Sequence, residues 1–108
     1  MMTISVPDDL KRFIAERGLF EGFTRSDSPG YVELWSIEDI PEQNALIEIA
    51  VYAPGFLAFA GDGGGEVFVF DATDAVYMLP LIGMEPKYAI KIANSFAEFA
   101  ETFELDSE

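Results

Sequence analysis

Three consecutive glycines, Gly63 to Gly65, interrupt the most apolar part of this sequence. The runs Phe56 to Ala60 and Val67 to Phe70 are apolar at nearly every position, and Gly61 to Gly65 separates them. Glycine enters the left-handed backbone region without a Cβ clash, and the neighbouring Asp62 can bond its own backbone. The pattern therefore predicts a β-hairpin whose loop is longer than the two-residue minimum. Because both runs are apolar on both faces, we expect this hairpin at the centre of a sheet that is covered on both sides.

Glycine-rich loops also bind phosphate groups or metal ions in other proteins. A P-loop has Lys and then Ser or Thr after its last glycine, whereas Glu66 follows Gly65 here. A dinucleotide fingerprint needs a helix after the glycines, and here the pattern predicts a strand. An EF-hand loop alternates carboxylates over about 12 residues, and this turn offers Asp62 and Glu66. We therefore interpret Gly63, Gly64 and Gly65 as a structural turn, and we expect neither a metal nor a cofactor.

The first half of the chain predicts two helices around a strand. Leu10, Phe13 and Ile14 have helical spacing, in a helix that Ser5 caps and Gly18 ends. Tyr31 to Trp35 alternates as a strand does. A second predicted helix occupies Glu42 to Tyr52, and an alternating strand through the same residues is the rival interpretation.

Shorter signals surround these elements. Leu19 to Thr24 is compatible with a short edge strand, and Arg25 to Gly30 has the composition of a loop. Ser36 and Asp39 form a capping pair that begins a helical turn, which we expect Pro41 to interrupt.

The last third of the chain predicts two further strands and a helix. Ala75 to Ile82 is rich in strand formers but contains Pro80, which favours an edge strand or a bulge. Ala89 to Ile92 is a second, shorter candidate. Ser95 caps the final helix with Glu98 three residues later, and the apolar stripe of that helix is Phe96, Phe99, Ala100 and Phe103.

These elements sum to an α+β fold, with one mostly antiparallel sheet of about five strands packed with helices. The 108 residues form a single predicted domain, residues 1–108, since no linker or repeat divides them. Trp35, Phe68, Phe70, Phe96 and Phe99 are expected in the core. For Trp35 the alternative is an aromatic anchor at an interface.

The absence of Cys and His from the sequence removes most catalytic machinery. Disulfides, thiolate chemistry, Ser-His triads and the usual zinc ligand sets are excluded. Asp62 with Glu66, or Asp71 with Asp74, could serve as a general acid and base. Each pair lies in or beside a predicted turn, where acidic residues are common for conformational reasons, and no nucleophile accompanies them. We expect no enzymatic activity.

The net charge is −14 at pH 7, from 20 acidic and 6 basic residues. No Lys or Arg lies between Ser26 and Pro86, so the central part of the fold must present an acidic field. Such a field repels nucleic acids and anionic membranes and favours a basic protein partner. The alternative is that the charge serves solubility, for which a magnitude of about 2 to 8 is usual. The candidate partner-binding residues on or beside the central strands are Glu33, Asp62, Glu66, Asp71 and Asp74.

Four segments, in order, resemble the SUKH superfamily, which gathers bacterial immunity proteins and fungal cell-wall assembly regulators of the Smi/Knr type. Val6 to Ile14 resembles the proline-led first helix of that superfamily, and Val32 to Ile40 its strand and following turn. Pro54 to Asp71 is similar to its glycine-rich hairpin. Ile92 to Phe99 is similar to the start of its closing helix.

The resemblance implies a SUKH-like fold and a protein-binding function without catalysis. The implied function is that of an immunity protein that neutralises a toxin, often a nuclease, and the implied partner is a basic toxin domain. A regulatory or scaffold module of the cell-wall regulator type is the alternative, and a small acidic enzyme is less favoured. No signal peptide and no apolar run of about 20 residues is present, so the sequence predicts a cytoplasmic protein.

Overall fold

The computed structural model describes residues 5–25 and 30–104 of the chain. Within these residues the strands are β1 Glu21–Phe23, β2 Tyr31–Leu34, β3 Leu57–Gly61, β4 Glu66–Phe70, β5 Val76–Pro80 and β6 Ile90–Ala93. The helices are α1 Asp8–Arg17, α2 Asp39–Leu46, α3 Ile49–Tyr52 and α4 Phe96–Ala100, and a 3-10 helix, Pro86–Tyr88, precedes β6. The loop predicted for residues 25–30 lies largely outside the described residues.

The strands form one antiparallel sheet in the order β1-β2-β3-β4-β5-β6. The predicted α+β fold is confirmed, with six described strands where about five were expected, because both short end strands join the sheet. The glycine-turn hairpin, β3 and β4, lies at the centre as predicted. Backbone bonds from Glu104 to Phe23 (2.9 Å) and from Arg25 to Thr102 (2.7 Å) tie the segment after α4 to the outer edge of β1.

The central strands of the sheet are buried on both faces. On one face, Leu10 of α1 and three phenylalanines of α4 and its following turn, Phe96, Phe99 and Phe103, pack against Phe59, Phe68 and Phe70. On the other face, Ile49 of α3 and Met84 pack against the valines of β4. Apolar burial on both faces explains why the two central strands contain almost no polar residue.

The predicted core phenylalanines are confirmed. Phe68, Phe70 and Phe99 are completely buried, and Phe96 is 1% exposed. The sole tryptophan behaves differently: Trp35 is half-buried and packs against both core clusters at the margin of the sheet.

Two predicted caps have different outcomes. Ser95 Oγ accepts a hydrogen bond from the backbone N–H of Glu98 at 3.1 Å. In return, Glu98 Oε1 accepts one from the backbone N–H of Asn94 at 2.6 Å. The predicted capping of α4 is therefore confirmed. The cap from Ser5 is wrong, because Pro7 precedes α1 without any side-chain cap. Pro7 itself occupies the N-cap position, with an extended backbone (ψ of 151°), and its side chain has no acceptor for the N–H groups of the first turn.

The helix predicted for Glu42 to Tyr52 is wrong in its bounds, and it is two helices. The first of the two, α2, begins earlier than predicted, at Asp39. The backbone N–H of Asp39 donates a hydrogen bond to Ser36 Oγ at 3.2 Å. Pro41 does not interrupt α2, because it lies in the first turn, where a helix tolerates proline. The helical run breaks instead before α3, at Glu48, which has a left-handed backbone with φ of 55°.

The expectation of an edge at Pro80 is wrong for the strand as a whole but holds at Pro80 itself, which has a paired neighbour on one side only. β5 is an interior strand between β4 and β6, and Pro80 is its last residue. It lies opposite Glu66 of β4, beyond the end of the pairing with β6. The missing N–H therefore removes no bond from the β5–β6 ladder.

Candidate functional site

The strand register places two carboxylates directly opposite each other. Glu21 of β1 pairs with Glu33 of β2, and Glu33 pairs on its other side with Gly61 of β3. Directly opposite residues lie on the same face of a sheet, and like charges there destabilise the pairing. Both glutamates are exposed. The fold thus brings negative charges together at some cost to its own stability.

Two aromatic residues lie beside these carboxylates. Tyr31 comes two residues before Glu33, on the same face, and pairs with Phe23 of β1. The two rings meet edge to face at 5.2 Å, and Phe23 remains 63% exposed. The Tyr31 hydroxyl donates a hydrogen bond to Glu21 Oε2. That bond raises the pKa of Tyr31, with smaller contributions from partial burial and from the charges of Glu21 and Glu33.

The glycine turn adds two further carboxylates at this end of the sheet. Asp62 Oδ1 accepts the backbone N–H groups of Gly64 (2.8 Å) and Glu66 (3.1 Å), so the Asp folds the turn onto itself. Partial burial, followed by the charge of Asp62 and a hydrogen bond with it, raises the pKa of Glu66. Gly63 lies against Tyr31, since a Cβ on it would come within 3.4 Å of the tyrosine ring.

The three glycines differ in their backbone requirement. Gly63 has a φ of +79°, whereas Gly64 and Gly65 lie outside the left-handed region. A Cβ on Gly65 would meet no atom within 4 Å. The conformational demand of the turn therefore falls on Gly63.

Asp71 and Asp74 lie at the opposite end of β4 from the glycine turn. Asp71 comes five positions after Glu66 along the strand, a rise of about 17 Å at 3.4 Å per residue. Asp71 Oδ1 accepts three hydrogen bonds, from the backbone N–H of Thr73 (2.8 Å), the hydroxyl of Thr73 (2.7 Å) and the backbone N–H of Ala75 (3.2 Å). Partial burial raises the pKa of Asp71, but these bonds together with one from Tyr77 outweigh burial and lower it overall.

The five sequence-predicted residues thus do not form one patch. Glu33, Asp62 and Glu66 lie at the glycine-turn end, and Asp71 and Asp74 lie at the other. We use the term acidic face for the surface formed by the residues that do lie together on one face of β1 and β2, which are Glu21, Phe23, Tyr31 and Glu33. Glu66 is adjacent in sequence to Val67, which shares the face of Glu33 through Gly61, so the side chain of Glu66 lies on the opposite face of the sheet.

Sequence reasoning missed Glu21, Phe23 and Tyr31 as site residues. The signal was present in part, because alternation placed Tyr31 and Glu33 on one face of β2. What it lacked was the register of β1, a strand of three residues that no pattern fixes.

The acidic face offers charge and aromatic surface for recognition. In the described part of the chain no group of three or more acidic residues is arranged to hold a metal ion. Among the same residues no helix is long and apolar enough to cross a membrane. Exposed carboxylates complement a basic protein surface. The aromatic ring beside them suits the same contact, because aromatic residues are frequent binding hot spots.

Comparison with known proteins yields one family. The model of the SMI1/KNR4 family (SUKH-1) matches residues 1–102. A search of curated proteins found no match.

Proposed function

The chain belongs to the SMI1/KNR4 family (SUKH-1), and from this we propose that it is a non-catalytic immunity protein of the cytoplasm that neutralises a toxin by covering a basic surface of it. The family fits an immunity or a regulatory module. The observation that carries the choice of surface is the acidic face, where Glu21 and Glu33 lie opposite each other beside the exposed ring of Phe23.

Electrostatics support a basic partner. A nuclease toxin is basic where it receives nucleic acid phosphates, so an inhibitor with an acidic face both matches that surface and repels the competing substrate. Opposite potentials raise association rates from about 10⁵–10⁶ to as much as 10⁸–10⁹ M⁻¹s⁻¹ at low salt. Fast association suits a protein that must act before its partner causes damage.

The arrangement of the acidic face supports occlusion as the mechanism. Phe23 is the large exposed side chain of the acidic face and lies on the edge strand β1. Its ring packs on Tyr31, whose hydroxyl donates a hydrogen bond to Glu21. A preformed aromatic anchor loses little side-chain freedom on binding. The charged groups around it would set orientation and rate, and Phe23 would supply buried area.

The test begins with the genes that flank the one for this chain, and a toxin domain encoded there is purified as the candidate partner. Association is followed by stopped-flow fluorescence between 0.01 M and 0.1 M salt, where the screening length falls from about 30 Å to 10 Å. Parent protein is compared with the double variant Glu21→Gln, Glu33→Gln. The matched control is Glu38→Gln, Glu42→Gln, which removes two exposed charges at the start of α2.

We expect the first pair to slow association several-fold and to flatten its salt dependence, and the control pair to have little effect. Phe23→Ala should mainly speed dissociation and reduce the protection of cells that express the toxin. Equal rates for parent and both variants would overturn the acidic face as the interface. A neighbouring toxin that does not bind the parent would overturn the immunity role and favour the regulatory module.

A further inference from the structure

A second surface combines arginine side chains with an apolar floor. An open groove of about 620 Å³ runs between α1 and α4, within the range of about 300 to 1,000 Å³ typical of ligand sites. The half-buried ring of Phe13 lines it and packs edge to face on Phe96 (5.4 Å) and Phe103 (5.8 Å). The floor of the groove is thus apolar and packs against the core.

The groove collects a large share of the positive charge of the chain. Of the six basic residues in the sequence, three line it, namely Arg12, Arg17 and Arg25. All three are exposed. In the part of the chain that the structure describes, no carboxylate lies within 4.0 Å of any of them, whereas Lys87 pairs with Glu85 at 3.7 Å. Three guanidinium groups at one groove are available to an incoming ligand.

Three acidic residues also line the groove, and one of them is already engaged. Asp9 Oδ2 accepts the backbone N–H of Ala97 at 3.0 Å and so joins α1 to the start of α4. Glu16 and Glu101 complete the set. The groove is therefore close to neutral on a molecule of net charge −14. A negatively charged ligand meets less repulsion here than at the acidic face.

We propose that this groove binds an acidic peptide segment of a partner protein, with carboxylates at Arg12, Arg17 and Arg25 and an apolar side chain against Phe13. Arginine forms paired hydrogen bonds with carboxylates, and the aromatic floor gives an apolar residue a place to bury. The ten residues of α1 are about 15 Å long, which about five extended residues span. A small inorganic anion would leave the aromatic floor unused.

The proposal does not depend on the toxin partner, so it is tested with a defined probe. Fluorescein-labelled EEDFLDEE is titrated with the full chain, and binding is measured by fluorescence anisotropy at 0.1 M salt, where the screening length of about 10 Å limits the effect of distant charges. Its uncharged counterpart, QQNFLNQQ, is titrated in parallel. We expect saturable binding of the acidic peptide and at least tenfold weaker binding of the uncharged one.

Paired variants locate the site. Arg12→Ala, Arg17→Ala should weaken binding about tenfold or more. Lys87→Ala, Lys91→Ala makes the same change in net charge at the 3-10 helix and β6, and it should change binding less than twofold. The acidic-face variant Glu21→Gln, Glu33→Gln should leave it unchanged, which separates this groove from the proposed toxin interface. Circular dichroism confirms that each variant is folded.

Four outcomes overturn the proposal. The first is that the acidic peptide fails to bind the parent. The second is an equal loss of peptide affinity in the Arg and Lys variants, which indicates a non-specific charge effect. Displacement of the peptide by inorganic phosphate at equal concentration indicates an anion site without peptide recognition. Self-association of the parent that disappears in the Arg variant indicates that a second copy of the chain occupies the groove.

Discussion

Asn44 joins α2 to β3 at a point where β3 is not paired with β2. β2 ends at Leu34, opposite Ala60, so the backbone of Ala58 lies beyond its reach. The Asn44 amide takes the place of a strand there. Its Oδ1 accepts the N–H of Ala58 and its Nδ2 donates to the carbonyl of Ala58, both at 2.8 Å. Asn44 is 9% exposed, so these groups have little access to water.

Asn44→Ala should therefore lower the free energy of unfolding by roughly 1 to 3 kcal/mol, because it leaves buried backbone groups without partners. The change is measured as a shift of the urea midpoint at constant slope. Gln43→Ala is the control, since this neighbouring amide is half-buried and makes no side-chain hydrogen bond among the described residues. Equal shifts for the two variants would contradict the role given to Asn44.

Gly63 carries the backbone demand of the glycine turn. Gly63→Ala should cost about 1 to 2 kcal/mol, because a residue with a Cβ is strained at positive φ. The same substitution at Gly64 or Gly65 should cost clearly less. Thermal unfolding of the three variants checks the order. If all three melt at the same temperature, the turn does not depend on a left-handed residue.

At the scale of elements, β4 lies between two turns of the same design. In each, an Asp Oδ1 accepts the N–H groups two and four residues later, at Asp62 in the first turn and at Asp71 in the second. The two turns differ electrostatically, because Glu66 lies beside Asp62, and Thr73 lies beside Asp71. The pKa of Glu66 is raised and that of Asp71 is lowered.

This difference predicts opposite effects of pH. A raised pKa means that folded Glu66 favours its protonated form, so its favourable contribution is complete below the ordinary value of about 4.3 and is lost as the pH rises through the folded value. Asp71 contributes stability above about 3.9, and this is lost as the pH falls through its lowered folded value.

Glu66→Gln should therefore be more stable than the parent at pH 7, with the advantage shrinking below pH 4. Asp71→Asn should be less stable than the parent at pH 7. Both shifts should be small, since solvent screens these largely exposed groups. Urea unfolding of the parent and both variants, from pH 7 to below pH 4, measures these shifts in stability. Shifts of the same sign at pH 7 would contradict the assigned directions.

At the scale of the whole molecule, charge opposes folding. The chain has 14 more acidic than basic residues, and its described ion pair, Lys87–Glu85, is exposed at the surface. Self-repulsion of this size destabilises a compact state, and salt screens it. The melting temperature should therefore rise as salt increases from 0.01 M to 0.1 M.

The variant Glu21→Gln, Glu33→Gln should melt at a higher temperature than the parent at low salt, because it removes repulsion between two directly opposite carboxylates. Its gain should shrink at 0.1 M. Differential scanning calorimetry of both proteins at the two salt concentrations tests this. A melting temperature that is independent of salt would show that the acidic excess costs the fold nothing.

Local patterns determined much of this protein. The glycine turn, the apolar runs beside it and the cap at Ser95 predicted the central hairpin and α4, because turn chemistry and burial on both faces act within a few residues. The acidic field also follows from the sequence, since no Lys or Arg occurs between Ser26 and Pro86.

Long-range pairing decided the sites. The acidic face exists because the register sets Glu21 opposite Glu33, and a strand as short as β1 takes its register from its neighbours and not from its own sequence. The groove lined by Arg12, Arg17 and Arg25 exists because α1 packs on α4. Asp9 and Ala97, which join the two helices, are 88 positions apart along the chain. Contacts at that separation depend on the whole hydrophobic core, so only the tertiary structure could show which charged side chains share a surface.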